Sequence, residues 1–364
     1  MRLSALLAAA VGGNLLVPVV PDSDRLWRHD PDFDSFIRKY NKQYKSDAEH
    51  EMRYYMFNKT RENIMNAMKK PSGFNYTAGV NAFADMSTEE FNSCMLCRPS
   101  SNKDRTSFQH GLDSTNIQHS YGNPPVSVDW QAAGAMGPVR DQGKCDACYA
   151  VHTAILAESR FKIQTRMNQV VPLSAQQLID CSTDQGNTGC KGGTVTDSWI
   201  YISLHGLVKE KAYPYIGKDG QCKKDIVESK TAGCIAPADI KGWLGVPPLD
   251  ELALRTAVSE GPIAAAVHAS SAGFKNYKSG ILTTRKCSEG NLNHMVTIVG
   301  YGSTPTGVQY WKILNSWGKS WGDNGYGYIQ RNAPKNPAGP CGIMRDPDLY
   351  PVFRDGLTAN ACLS

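Results

Sequence analysis

The most constraining stretch of this chain is Gln142-Gly143-Lys144-Cys145-Asp146-Ala147-Cys148-Tyr149-Ala150. A Gly-containing loop runs straight into an apolar helix, and a cysteine stands at the junction. Ala150, Ala154, Ala157 and Phe161 recur on one face, so the spacing predicts a buried helix over Cys148–Gln164. At a helix start the backbone N–H groups lack acceptors and the dipole end is positive, which favours thiolate over thiol. Cys148 is therefore a candidate nucleophile. The plainer alternative is that Cys145 and Cys148 are buried structural cysteines.

Composition supplies the core that such a helix needs. The 364 residues are 41% hydrophobic and 20% charged, which excludes wholesale disorder and fibrous repeats. That length admits two or three compact units. Lys and Arg number 39 against 34 Asp and Glu, and no basic block exists, so nothing points to nucleic acid. Eleven cysteines is an odd number, which raises the question of which thiol stands apart.

The chain opens Met1-Arg2-Leu3 and continues as a short apolar run to Val17, interrupted by Asn14. Pro18, Pro21 and Asp22-Ser23-Asp24-Arg25 end it short of the ~20 apolar residues a membrane span needs. We read residues 1–20 as a secretory signal peptide, which implies an oxidising compartment and no membrane segment in the mature form.

Helical spacing recurs at Phe33, Phe36, Ile37 and Tyr40, and at Met52, Met56 and Ile64 around Phe57. Pro71-Ser72-Gly73 stops that run, Tyr76–Phe83 is strand-like, and Ser87-Thr88-Glu89-Glu90 has the form of a helix start. Residues 98–124 are a polar linker. Beyond it, Gln177–Cys181 and Val195–Leu204 are helical candidates. After Gly261-Pro262 the pattern turns to strands at Ile263–Ala269, His294–Tyr301, Val308–Leu314 and Tyr326–Arg331. Helices followed by strands indicate an α+β fold with a cleft between two lobes.

Two further segments carry chemistry. His294 begins an apolar strand within Asn291-Leu292-Asn293-His294-Met295-Val296, where a lone His is commonly a satisfied core residue. Beside a thiolate it would instead serve as an acid/base. Asn315-Ser316-Trp317-Gly318-Lys319-Ser320-Trp321-Gly322 follows another strand. There the Asn315 amide is suited to orient an imidazole, and Trp317 to keep water off that bond. A Gly/Trp turn bracing a sheet is the bland alternative.

Together these segments resemble the papain family of cysteine proteases, in its cathepsin L-like precursor form with an I29-type inhibitory propeptide. The resemblance runs from residue 30 to Pro351. The Cys145–Tyr149 segment is similar to the family signature C-G-[SA]-C-[WY] except at Asp146, and His294 falls in the family's window of ~130–150 residues downstream. The resemblance implies a helical left lobe, a β-barrel-like right lobe and an active-site cleft between them, behind a small helical propeptide domain. It implies Cys148 as nucleophile, His294 as acid/base, Asn315 as orienting amide and Gln142 as an oxyanion-hole donor. It also implies that Gly192 and Gly193 pair with substrate backbone. By the same likeness, Thr194, Val195, Ala266, Met295 and Trp317 line the substrate site. Its pocket floor falls on Asp346 counting from Cys341, or on Pro347 counting back from Tyr350-Pro351.

In the propeptide, Glu49, Arg53, Phe57 and Ile64 match a spaced helix motif, from which Thr60 and Met68 depart, and Gly79–Asp85 matches a second motif in full. The implied organisation is signal 1–20, inhibitory propeptide 30–97, linker and activation segment 98–124 with cleavage in Ser107–Pro124, and peptidase domain 125–364. By the same resemblance Cys145 pairs with Cys190, Cys181 with Cys222 and Cys287 with Cys341, leaving Cys148 free. Cys94 and Cys97 form a local disulfide or stay idle, and a Cys234–Cys362 bond would clip the tail. The cysteines are too dispersed for zinc, so no metal and no cofactor are expected.

Asp146 and Met295 depart from the family pattern, and His152 reads as a helix-surface histidine. No paired-histidine occluding loop is visible, so the chain reads as an endopeptidase. Sequons stand at Asn58 and Asn75. The expected activity is hydrolysis of protein and peptide substrates by a zymogen held by its own propeptide. The expected enzyme is a monomer, open to cystatin-like inhibitors, in a lysosome-like compartment or outside the cell. The alternative is a catalytically weak homologue that binds peptides or partners in the same groove.

Overall fold

The computed structural model describes residues 30–69, 75–96, 123–346, 348–359 and 362. The expected signal peptide, the Pro71–Gly73 break, Cys97, Pro347 and all of the linker before residue 123 lie outside the described residues.

The segment expected to be the propeptide begins with two capped helices. Asp30 accepts from the N–H groups of Asp32 and Phe33 at 2.9 and 3.1 Å and starts the helix Pro31–Lys39. Ser46 accepts from Glu49 N–H at 3.2 Å and starts Asp47–Met68, while the Glu49 carboxylate reaches back to Lys45 N–H at 2.8 Å. Phe33, Phe36 and Phe57 bury one another together with Ala84, which holds the helices to the following loop. The strand expected at Tyr76–Phe83 reduces to Thr77–Ala78. Ser87 then caps a third helix, Thr88–Cys94.

The propeptide docks by two physical devices. Thr77–Ala78 adds antiparallel to the mature strand Tyr277–Ser279, and Gly79 N–H donates to Asn276 O at 2.9 Å. Gly280 is required there, because its φ is +78° and a Cβ would stand 2.0 Å from Asn75 O. Phe83, Phe91, Met95 and Leu96 are then buried within the core of the sheet lobe itself. Charge pairs brace the propeptide internally. Arg53 Nη2 donates to Glu90 Oε1 at 2.8 Å, Glu49 lies 3.6 Å from the same guanidinium, and Lys42 Nζ meets Asp85 at 2.9 Å.

The mature chain has the two lobes expected. In the helical lobe, Cys148–Thr165 is buried along most of its length and packs with Ala175–Cys181 and Val195–His205. The other lobe is built on an eight-stranded sheet with His294–Ser303 as its spine. That strand pairs antiparallel with Ile263–Val267 on one side and Gln309–Leu314 on the other. Two of its strands, Ile240–Val246 and Asp348–Phe353, carry no alternation in sequence, since Gly242, Gly245 and Pro351 interrupt them. Disulfides join Cys145 to Cys190, Cys181 to Cys222, Cys287 to Cys341 and Cys234 to Cys362.

Burial pushes the Glu90 carboxyl up, but its hydrogen bond and charge pairing with Arg53 override this and hold it below its ordinary value of 4.5. A depressed carboxylate stabilises the fold above its unfolded pKa, and that stability is lost as pH falls through the folded one. Arg53→Met is therefore expected to cost the zymogen about 1–2 kcal/mol near neutral pH. The loss should appear as a lower urea midpoint at pH 7 and shrink as pH falls through the depressed pKa of Glu90.

Candidate active site

Cys148 is the first residue of the central helix and is fully buried. The N–H of Met295 donates to its sulfur at 3.4 Å, which ties the helix head to the strand that begins with His294. His294 Nε2 lies 2.8 Å from Asn315 Oδ1. The same oxygen accepts from Ser316 N–H at 2.8 Å, so it is the acceptor and Nε2 carries the proton. That leaves Nδ1 as the basic nitrogen, buried and without a hydrogen-bond partner among the described residues. Trp317 stacks on the imidazole with centroids 4.5 Å apart and planes 27° from parallel, and is itself fully buried.

Gln142 comes to the same point from the loop before the helix. Its Nε2 donates to Cys145 O at 3.1 Å and to the propeptide carbonyl of Met95 at 3.4 Å. Its Oε1 accepts from Ser316 Oγ at 2.6 Å, which turns the NH2 group towards the cleft. Sequence reasoning did not single out Ser316. Its only signal was adjacency to Asn315, because the partner it orients lies 174 positions away in the chain.

On the opposite wall, Gly193 leaves no room for a side chain. A Cβ there would stand 2.2 Å from Asn187 Oδ1 and 2.9 Å from the Tyr149 ring. Gly192 has φ +112°, a conformation L side chains rarely adopt. Thr194 caps the helix that Val195 opens, and Val195 is buried. Ala266 is paired in register with Met295, and both are half-buried. Asp346 is half-buried in the bend before the last strand.

Two expectations need correction, and one open alternative is decided. The sulfur of Cys148 is held in a disulfide, so it is not the thiol that stands apart. A thiol activated at a helix start is also the one that enters disulfide exchange most readily. Of the two alternatives for Cys94, a local bond to Cys97 or an idle thiol, the second holds, since Cys94 is the free cysteine among the described residues. His152 is not on a helix surface. It is fully buried, with Nδ1 2.8 Å from Thr297 Oγ1, because this face of the helix is covered by the sheet lobe. Asp146 is buried too, and the capping position of the helix falls to Ala147, which makes no side-chain cap bond.

Residues 124–350 match the family described as "Papain family cysteine protease", and residues 33–91 match the "Cathepsin propeptide inhibitor domain (I29)". The chain belongs to the papain family of cysteine proteases. It is 37% identical to Vignain of Vigna mungo over 79% of this chain and 76% of that protein. It is 35% identical to Cathepsin L of Sarcophaga peregrina, over 84% of this chain and 88% of that one. Among solved structures, the proform of the ragweed pollen allergen Amb a 11 superposes with a TM-score of 0.73 at 31% identity. That match covers 91% of this chain and 98% of the allergen. The digestive procathepsin L 3 of Tenebrio molitor larval midgut gives a TM-score of 0.73 at 30% identity, over 90% and 99% of the two chains. The protein is thus the zymogen of a cathepsin L-like cysteine endopeptidase that acts on proteins, autoinhibited by its own propeptide.

In this zymogen, burial depresses His294 from its ordinary 6.5 to about 4, against the opposing effect of its bond to Asn315. His152 is lowered as well, first by burial and then by the neighbouring His294. The unfolded chain therefore binds more protons than the folded one between pH 6.5 and about 4, and zymogen stability falls as pH drops through that window. Thermal unfolding followed across this range is expected to show a falling Tm. His294→Gln should flatten the dependence, whereas an unchanged slope would place the pH sensitivity elsewhere.

Proposed function

We propose that Cys148 is the nucleophile of this endopeptidase and that His294, Asn315 and Gln142 complete its machinery. The observation that carries this reading is the His294–Asn315 bond at 2.8 Å, sealed under Trp317, one residue from the Met295 N–H that meets the Cys148 sulfur. Once its disulfide is reduced and the propeptide has left, the Cys148 thiolate attacks the scissile carbonyl. Charge on the tetrahedral oxygen is taken up by the Gln142 amide and by the backbone N–H of Cys148, a group with no intrahelical acceptor. Protonated His294 gives its proton to the leaving amine, and Asn315 keeps the ring in plane. Water activated by the same imidazole then releases the acyl group.

Substrate backbone would run extended along Gly192 and Gly193, where the missing side chains allow close approach. Thr194, Val195, Ala266 and Met295 would form the main specificity pocket, with Asp346 at its floor. The domain limits follow the same reading: signal 1–20, inhibitor 30–97, activation segment 98–124 and peptidase 125–364. Disulfides spread over the peptidase domain suit an oxidising route, so we place the enzyme in the secretory pathway, ending in a lysosome-like compartment or outside the cell. It would act as a monomer whose open groove is a surface for cystatin-like inhibitors.

The Cys148 disulfide sets the decisive test. Acid-processed enzyme without reductant is expected to resist a thiol-directed peptide epoxide and to turn over no fluorogenic peptide. Added thiol should restore both, with the label on Cys148 by peptide mapping. Labelling elsewhere, or turnover by Cys148→Ala, would overturn the assignment. A peptide library should separately show Arg accepted beside apolar residues two places before the scissile bond. Asp346→Ala is expected to lower the Arg rate about tenfold and leave apolar residues unaffected; rejection of Arg by the parent enzyme would refute that floor.

A further inference from the structure

Lys275 is a buried cation that the chemistry proposed above leaves unused. It closes the short helix Ala272–Lys275 of the mature domain and is 8% exposed. What buries it is the propeptide. Its Nζ donates to Met86 O at 2.9 Å and stands 4.8 Å over the Phe91 ring. Burial pulls the ammonium down to about 8, and the propeptide carboxylates of Asp85, Glu90 and Glu89 act the other way. The natural occupant of this surface therefore already meets the cation with negative charge. When the propeptide leaves, the carbonyl, the ring and the three carboxylates leave with it.

The place of Lys275 relative to the chemistry follows from rings. Trp317 stacks on His294 at 4.5 Å, and Phe274, the neighbour of Lys275, lies 5.6 Å from Trp317 and 6.4 Å from His294. In the reading above, on which this inference rests, the leaving amine receives its proton from His294. The part of the substrate after the scissile bond must then pass His294 and Trp317 towards Phe274 and Lys275. The acyl part lies on the other side, against Gly192 and Gly193. Since an extended residue advances ~3.3–3.6 Å, the ammonium is reached about two or three residues beyond the cleaved bond.

We propose that in the activated enzyme Lys275 selects an acidic side chain two or three residues after the scissile bond. Lys275 loses its propeptide partners on activation, so a substrate carboxylate takes up the place that the propeptide's own carboxylates held.

The test uses internally quenched peptides, identical before the cleaved bond, that carry Glu, Gln or Lys at the second and third positions after it. Activated enzyme is expected to favour Glu over Gln about five- to tenfold in kcat/KM, with the ratio shrinking in high salt. Lys275→Gln should bring the ratio to one, Lys275→Glu should make the Lys peptide the preferred one, and Lys275→Arg should keep the Glu preference. Equal rates for Glu and Gln with the parent enzyme would overturn the proposal. So would a Glu preference that survives Lys275→Glu. The parent enzyme's ratio and its salt dependence decide the matter even if a variant fails to fold. Failure of the underlying active-site reading looks different, since no peptide of the set would then be cleaved in a Cys148-dependent way.

Discussion

The imidazole of His294 is held between the Asn315 amide at 2.8 Å and the Trp317 indole at 4.5 Å, shut off from water. Its position determines much of the rest. The ring stands at the head of the spine strand of one lobe, and the next residue donates its N–H to the Cys148 sulfur on the other. A polar ring can be buried there because Asn315 satisfies one nitrogen, while burial of the other keeps the imidazole neutral. The fixed acceptor oxygen of Asn315 decides which nitrogen is basic. Ser316 binds both that oxygen, through its N–H, and the Gln142 amide, through its hydroxyl. One short segment thereby orients two groups that come from distant parts of the chain.

The propeptide exploits the same burial. Phe91 stands 5.2 Å and Phe83 5.5 Å from the Trp317 ring, so the indole that shields His294 also anchors the inhibitor. Inhibition and catalysis share an apolar floor, and charge is arranged around its edge. Glu90 answers Arg53 within the propeptide and also faces Lys275 across the boundary. Acid weakens the first of these pairs, whereas Lys275 keeps its charge and is available to a new partner. The Cys148 disulfide adds a second restraint of a different kind, since it responds to thiols and not to protons.

Much of this was legible in the sequence. The helix from Cys148, the strand from His294, the capping residue Ser87 and the propeptide aromatics Phe33, Phe36 and Phe57 all carry local signals of period or capping chemistry. The strands Ile240–Val246 and Asp348–Phe353 did not, because glycines and a proline mask them and their stability comes from neighbours on the sheet. His152 was misread for a related reason. Helical spacing tells which residues share a face, but not whether a second lobe covers that face.

The sequence by itself determined the order and chemical kind of the groups proposed to do the work. Gln142, Cys148, His294 and Asn315 each sit at a loop, helix head or strand end that short-range physics defines. Only the tertiary structure decided that Ser316 orients Gln142, that the Cys148 sulfur is tied in a disulfide, and that Lys275 lies hidden under propeptide carboxylates. The physical reason is common to all three. Orientation, oxidation state and charge burial depend on which atoms meet across long stretches of intervening chain, and packing alone brings those atoms together.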